Sequence, residues 1–561
     1  ITGAQCSFSV GAIQENKETI LNCFEEAESV ESDIVIFPEL AITGYPPEDL
    51  LLRESFIGKN FAVLEEIAAF SSHTSGVIGF VDRKNDPHNQ DNNKRTIANA
   101  AAIVQNGDVR GIYHKSFLPN YSVFDEARYF SKGTEPNTLF WYDDIAIGIN
   151  ICEDIWIEDG PAEEQVKQGA SLIININASP YDIHKSETRK EIVMKKALKL
   201  NVPIIYLNMV GGQDELVFDG GSFVVNDLGE IIYQASSFKE EVFHLDIDLK
   251  TNKQNDKSPL IIRPKTIELK DVESKASLSK NESIYSALKL GLKDYVRKNK
   301  FTKVLIGISG GIDSALTAAI CVDALGAENV IGVAMPSKYN SKDSLDDAIK
   351  LSDNLGITLK TIEIEKLVDD FRETLTNSLN EDLGQITDEN IQSRVRGNIL
   401  MGLSNQTGAM VVSTGNKSEM AVGYSTLYGD LAGGFALIKD LYKTKVYELS
   451  NYINSISDAI PKNIITKEPS AELRPNQFDS DSLPDYEVLD KILNLYIEED
   501  SSSEKIIASG VDPNLVFDVL EKVDRNEYKR KQVAPGVKLT QKAFGKDRRM
   551  PITNTYIRQK E

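Results

Sequence analysis

The sequence is poor in the residues that carry metal and redox chemistry. Its 561 residues include only four cysteines, Cys6, Cys23, Cys152 and Cys321. They lie far apart and form no CxxC pair, which excludes zinc-ribbon and dithiol motifs and fits a reducing compartment. All five histidines, His73, His88, His114, His184 and His244, fall in the first half. Chemistry in the second half must therefore run without imidazole, which favours metal and phosphate electrostatics. Positive charge is also scarce: Lys and Arg number 62 against 85 Asp and Glu, for a formal charge of −23. That balance excludes broad binding to nucleic acid or to anionic membranes. No apolar run approaches the length of a membrane span, and no charged-then-apolar leader opens the chain. The expectation is a cytoplasmic protein acting on small molecules. With 41% hydrophobic residues, a chain of this length can hold several complete cores.

One more absence is informative. The apolar run Val304-Leu305-Ile306 leads into Gly307-Ile308-Ser309-Gly310-Gly311-Ile312-Asp313-Ser314, and a helix-like stretch follows. Strand, glycine turn and helix N-terminus together make a phosphate cradle. The lysine of a Walker A loop is missing, and Asp313 stands there instead. An acid beside phosphate is repulsive unless a divalent cation joins them, as Mg²⁺ does between carboxylates and phosphates. The loop therefore reads as a pyrophosphate site with a metal-binding Asp313. Strand-like runs at 330–335, 358–364 and 410–413 alternate with helical stretches at 342–355, 365–379 and 391–405. This is a doubly wound α/β pattern with a parallel sheet, and phosphate is expected at its carboxyl edge.

The first half shows an opening strand at 5–10, a helix at about 15–30 and apolar strands at 33–39, 77–81, 98–105, 109–114, 145–151, 172–178 and 204–209. A pair at 222–226 and 230–234 turns at Asp227-Leu228-Gly229, and Asn106-Gly107 signals a tight hairpin. Two layered sheets with helices outside are expected. Three strand ends carry reactive groups: Glu39, Lys115 and Cys152. A thiol needs a base or a cation to become a nucleophile, and Glu39 and Lys115 can supply them. The structural alternative is a buried small cysteine beside an ordinary ion pair. Between the halves, 250–280 is polar and charged, and a helical period with Asn281 as possible cap resumes at Ile284, Leu288, Leu292 and Tyr295.

Phe37-Pro38-Glu39-Leu40, His114-Lys115 through Asn120-Tyr121, and Cys152-Glu153-Asp154-Ile155-Trp156 resemble the signature segments of nitrilase-superfamily glutaminase domains. The resemblance covers about 1–260. It implies an αββα sandwich, a catalytic triad of Glu39, Lys115 and Cys152, and glutamine held by Tyr121, Ser179 and Lys185. Arg189 is the alternative anchor for the glutamine carboxylate. Glu126 either orients Lys115 or pairs with Arg128 in solvent.

Glu389 to Arg396, Ser413 to Glu419, Gly423 to Asp430 and Lys467 to Leu473, with the loop Ser309 to Ser314, resemble the NAD synthetase family. The tail from Glu527 to Arg549 resembles its glutamine-dependent branch. Ser470 departs from the pattern, standing where many relatives have Thr. The resemblance implies an ATP-pyrophosphatase-type domain over 281–561, joined by a connector at 261–280 to a domain at 1–260. It implies ATP on 307–314 and Thr414, and Mg²⁺ on Asp313 and Glu419. Deamido-NAD falls to Asn390, Glu419 and Lys529, with Arg394, Lys439 and Asp430 as weaker candidates. A plain turn at Gly429-Asp430 and a solvated basic tail are the structural alternatives. Ammonia passage between the sites and a homo-oligomer are implied as well. Glutaminases with a Cys-His-Glu triad or an N-terminal cysteine do not fit, because Cys152 is internal and no histidine motif accompanies it.

Overall fold

The computed structural model describes residues 1–84, 96–142, 144–249 and 274–556, and its contacts divide into two units, Ile1–Leu278 and Ser279–Glu561. Most of the stretch read as a connector lies outside the described residues.

In the first unit the order is β1 (Thr2–Gln5), α1 (Ile13–Ser29), β2 (Ile34–Ile36), α2 (Glu54–Phe70), β3 (Ser75–Lys84), β4 (Thr96–Gln105), β5 (Asp108–His114), β6 (Leu139–Tyr142), β7 (Ile145–Ile151), α3 (Pro161–Lys167), β8 (Leu172–Asn177), α4 (Lys185–Leu200) and β9 (Ile204–Asn208). β10 (Val210–Gln213), β11 (Leu216–Asp219), β12 (Phe223–Val225), β13 (Ile231–Gln234) and β14 (Glu241–His244) follow. Two six-stranded sheets form, ordered β14-β1-β2-β3-β4-β5 and β13-β12-β9-β8-β7-β6. The period-2 pleat explains how they stack. Ile147, Ile149 and Ile151 of β7 join Ile174, Leu207, Ile36, Val77 and Tyr113 in the core between the sheets. The opposite face of the second sheet, with Ile173 and Ile204, packs on Ala162, Val193 and Ala197 of α3 and α4. Ile20 and Phe24 of α1 and Val63 and Ile67 of α2 cover the first sheet. The result is an αββα sandwich.

Asn106 and Gly107 both adopt positive φ, 49° and 81°, as the tight hairpin signal requires. The opening strand lies at Thr2–Gln5 rather than 5–10, because its partner β14 ends opposite Gln5, at Glu241. The β10–β11 hairpin was not evident from sequence, where Gly211-Gly212 interrupt any alternation.

The second unit runs α5 (Lys280–Lys298), β15 (Val304–Gly307), α6 (Ile312–Leu325), β16 (Val330–Ala334), α7 (Lys342–Leu355), β17 (Thr358–Thr361), α8 (Glu365–Leu379), α9 (Gln385–Thr407), β18 (Met410–Ser413), α10 (Lys417–Val422), β19 (Phe435–Ala436) and α11 (Lys443–Ser457). Ser279, not Asn281, caps α5 by accepting from Glu282 N, because the helix starts at Lys280, two residues before the start an Asn281 cap would set. The sheet is parallel, ordered β17-β16-β15-β18-β19. Chain order runs outward from β15 in one direction through β16 and β17, and in the other through β18 and β19. The loops after β15 and β18 therefore flank the topological switch point, where doubly wound sheets bind ligands. No described helix is long and apolar enough to cross a membrane.

Candidate functional site

In the first unit, three chain reversals bring reactive groups together. β7 ends at Ile151, and Cys152 takes φ +43° before a short helical turn, Cys152–Ile155. A non-glycine residue in this region is strained, which is common where a side chain must be aimed. Glu39 follows β2, and Lys115 directly follows β5. Lys115 is 0% exposed, and its Nζ donates to Glu39 Oε1 at 2.7 Å and to Glu126 Oε1 at 2.8 Å. Asn99 Nδ2 donates to Glu39 Oε1 at 2.7 Å, Ala178 N to Glu39 Oε2 at 2.9 Å, and Tyr45 OH to Glu126 Oε1 at 2.9 Å.

Burial works against the Lys115 ammonium, but Glu126 and Glu39 outweigh it, so the lysine stays charged. Burial, then the charge of Glu39, pushes the Cys152 thiol up despite Lys115, so the resting sulfur keeps its proton. Glu126 is pushed up to about 7, by burial first and against the pull of Lys115. Glu126 thus faces Lys115, while Arg128 lies by Asp49. Of the two readings of Glu126, the solvent pair with Arg128 is the one the structure overturns. The reason is that the helical turn Glu126–Arg128 points the first residue inward and the third outward.

Asp154 was missed from sequence, although it lies in the cysteine segment. It is fully buried and accepts from Ser116 N, Phe117 N, Tyr113 OH and Ile151 N at 2.9–3.1 Å. It thereby ties the backbone beside Lys115 to the backbone beside Cys152. Near Cys152, Tyr121 OH donates to Glu153, and Lys185 Nζ stands 4.4 Å from the Trp156 ring centre. Burial, then Arg189, lowers the Lys185 pKa. Ser179 is buried after β8. Arg189 is buried and committed: it donates to Asp219, Ser179 and Pro180. Its charge is therefore already paired with Asp219.

In the second unit, Gly307 ends β15, and Ile308 N donates to Val333 O at 2.9 Å. Gly310 has φ +79°, and a Cβ there would stand 2.2 Å from Ser344 O, so only glycine fits. Ser314 Oγ donates to Gly311 O and accepts from Ser309 N, while Gly311 N donates to Ser309 Oγ, closing the loop. Helix α6 then starts at Ile312 with no side-chain cap, leaving its first N–H groups for an anion. Asp313 does not cap the helix. Its Oδ1 accepts from Asn416 Nδ2 at 2.9 Å, and its Oδ2 pairs with Lys443 Nζ.

Asn416 also caps α10 in a reciprocal box with Glu419, at 3.0 and 3.3 Å. Lys443 lies 3.7 Å from Glu419 as well. Thr414 leaves β18 beside the loop after β15. Burial, then Asp313, pushes Glu419 up to about 8 against Lys443. Two carboxylates, Asp313 and Glu419, placed about one lysine are a donor set that fits a divalent cation. Among the described residues no cluster of three or more His, Cys, Asp or Glu is placed to hold a metal, so phosphate oxygens would supply the rest of its shell.

Lys443 was not found from sequence, because nothing distinguishes it there from Lys439. Lys439 Nζ instead donates to Ala534 O in the tail. Asn390 Oδ1 accepts from Thr426 Oγ1 at 2.6 Å, and Lys529 Nζ donates to Gly423 O and Ser425 O at 2.8 Å, so both meet the 423–430 loop. Asp430 closes that loop by accepting from Thr426 N, and Arg394 donates to Leu427 O. The basic tail is solvated only in part: Lys531, Lys546 and Arg549 are exposed, but Arg530 and Arg548 are buried against Glu527, and Arg530 also caps α10 through Ala421 O.

A strained cysteine beside a buried Glu-Lys pair, carried on an αββα sandwich, defines a carbon–nitrogen hydrolase, and the second unit defines a nucleotide-binding synthetase. The carbon-nitrogen hydrolase family model matches residues 2–255, and the NAD synthase model matches 284–533. The glutamine-dependent NAD(+) synthetase of Thermotoga maritima is 46% identical over 99% of this chain and 98% of its own length; that of Aquifex aeolicus is 44% identical over 100% of both. A solved glutamine-dependent NAD+ synthetase from Acinetobacter baumannii, in complex with ADP, is 42% identical, with a TM-score of 0.75 over 98% of each chain. One from Cytophaga hutchinsonii shares the fold at 22% identity, with a TM-score of 0.82 over 99% of this chain and 97% of its own. The chain belongs to the glutamine-dependent NAD(+) synthetase family.

Proposed function

We propose that the chain makes NAD by ATP-dependent amidation of deamido-NAD, taking ammonia from glutamine. The observation that carries this reading is the pairing in one chain of a buried Glu39–Lys115–Cys152 cluster with a phosphate loop faced by two carboxylates.

At the first site Glu39 takes the thiol proton as Cys152 attacks the glutamine amide carbon. Lys115 stabilises the oxyanion, and Glu39 returns the proton to the departing ammonia. Glu39 then deprotonates the water that cleaves the thioester to glutamate. Tyr121, Ser179 and Lys185 hold the substrate, with Lys185 on its carboxylate.

At the second site the nicotinate carboxylate attacks the α-phosphate of ATP, pyrophosphate leaves, and ammonia displaces AMP from the acyl-adenylate. The N–H groups of 307–314 and Lys443 hold phosphate, Thr414 contacts ATP, and Asn390, Glu419 and Lys529 orient the dinucleotide. Asp313 and Glu419 would hold Mg²⁺, which supplies charge neutralisation to the phosphates when bound. The sparse free cysteines suit a cytoplasmic setting.

Cys152→Ala tests the division of labour. Glutamine-driven NAD formation is expected to vanish while ammonium-driven formation persists. Loss of both in a folded variant, or survival of the glutamine reaction, would sink the reading.

A further inference from the structure

Strand β7 delivers Cys152 in a backbone conformation that most residues avoid, so other contacts must hold it there. The run Ile145–Ile151 is apolar and extended, and Cys152 breaks it at φ +43°. Such strain persists where the surroundings over-determine it. The contact that does so is made by Asp154, the third residue of the turn Cys152–Ile155. Its Oδ2 reaches back to accept from Ile151 N at 3.1 Å, which closes a ring around Cys152. The same oxygen accepts from Tyr113 OH at 2.9 Å. Its Oδ1 accepts from Ser116 N at 3.1 Å and Phe117 N at 2.9 Å, the two N–H groups that follow Lys115.

The far side of this bridge is fixed as well. Lys115 N donates to Asn99 O at 2.9 Å, and Lys115 O accepts from Gly133 N at 2.7 Å. Tyr121 OH to Glu153 also joins the two segments, but Tyr121 is 51% exposed, whereas Asp154 is 0% exposed. All four donors to Asp154 lie within two residues of Cys152 or Lys115. Burial, against the Ile151 N–H and the charge of Lys115, pushes its carboxyl up to about 6, so it is ionised at neutral pH. An ionised carboxylate accepts two donors on each oxygen, which an amide cannot do.

We infer that Asp154 is a positioning residue for the first site: by bonding Ile151 N with one oxygen and the N–H groups after Lys115 with the other, it sets where the Cys152 sulfur stands relative to the Lys115 ammonium. The inference rests on the reading of the first unit as a glutaminase. Asp154 acts through Cys152 and Lys115 rather than on the substrate.

The test uses the full chain and Asp154→Asn, which preserves size. The amide oxygen can keep Ser116 N and Phe117 N, and the amide NH2 can donate to Tyr113 OH, so the bond lost is the one to Ile151 N. The kcat for glutamine-driven ammonia release, counted per folded molecule from a circular-dichroism unfolding curve, is expected to fall about 10²-fold. KM for glutamine should stay within about twofold. Tyr113→Phe removes a donor but leaves the ring around Cys152 and the grip on 116–117, so its kcat should fall no more than about threefold. A kcat for Asp154→Asn within about threefold of wild type, or a raised KM as its main effect, would overturn the inference. So would equal losses in the two variants, or a loss in Asp154→Asn that unfolded protein accounts for, since either means a merely structural carboxylate. Failure of the glutaminase reading shows differently, as glutamine-driven activity that survives Cys152→Ala.

Discussion

Each unit buries a lysine between two carboxylates, and the two arrangements differ in what they leave open. Lys115 and Glu39 are 0% exposed; Asn99 Nδ2 and Ala178 N also donate to Glu39, and Tyr45 OH donates to Glu126. Lys443 is equally buried, but its partners Asp313 and Glu419 keep 17% and 19% of their side-chain surface. The substrates explain the contrast. A glutamine side-chain amide brings no charge to the thiol, so the charges around Cys152 must be balanced within the protein. ATP and deamido-NAD bring many negative charges, so the second site must keep its carboxylates within reach of a cation and its lysine within reach of phosphate. A buried ion pair of the first kind is complete in itself, and one of the second kind is a place held for ligands.

Removing each lysine sharpens this comparison. Lys115→Met is expected to have the largest effect, cutting glutamine-driven ammonia release by about 10³-fold or more. It should also destabilise the protein by about 3–5 kcal/mol, because buried Glu39 and Glu126 lose the ammonium that bonds to both. Denaturant titration checks the second figure. Adding Glu126→Gln should recover stability without recovering activity. A Lys115→Met protein of wild-type stability would break the picture of a closed cluster.

Lys443→Met should come next, lowering pyrophosphate release in the ammonium-driven reaction by about 10²-fold. Its stability loss should stay below that of Lys115→Met, because the carboxylates it leaves are reached by water. Equal stability losses for the two variants would erase the distinction between a closed and an open site.

The smallest effect concerns pH. Glu126 is raised from 4.5 to about 7, so its folded form prefers the proton. Its contribution to stability is therefore complete below about pH 4.5 and lost as pH rises to about 7. Glu126→Gln lacks this titration, so its unfolding midpoint relative to wild type should improve across that window, by an amount on the order of 1–3 kcal/mol. A constant difference between the two proteins from pH 4.5 to 8 would show that Glu126 stays ionised throughout.

Much of the site was legible because reactive residues fall at strand ends inside contiguous words. Glu39, Lys115 and Cys152 each close an apolar run, and Gly307 to Ser314 carries its own turn, phosphate and acid signals. Residues that act from another segment were not legible. Asp154 lies next to a recognised word, but its four donors come from 113, 116, 117 and 151. Lys443 resembles the lysines around it until Asp313 is seen beside it. Arg189 stood beside Lys185 as the alternative anchor for the substrate carboxylate, and only Asp219, thirty residues on, shows that its charge is paired.

Sequence alone determined the two fold classes, and it singled out Cys152 as the candidate nucleophile and 307–314 as the candidate phosphate loop. Hydrophobic period, glycine placement and short motifs are local properties, and local chemistry reads them. Tertiary structure alone decided which charges are spent and which are free. Glu126 turned inward to Lys115, Arg189 was consumed by Asp219 and Ser179, and Lys443 rather than Lys439 reached Asp313. Charge pairing depends on distance and burial in space, and those exist only once strands far apart in the chain lie side by side.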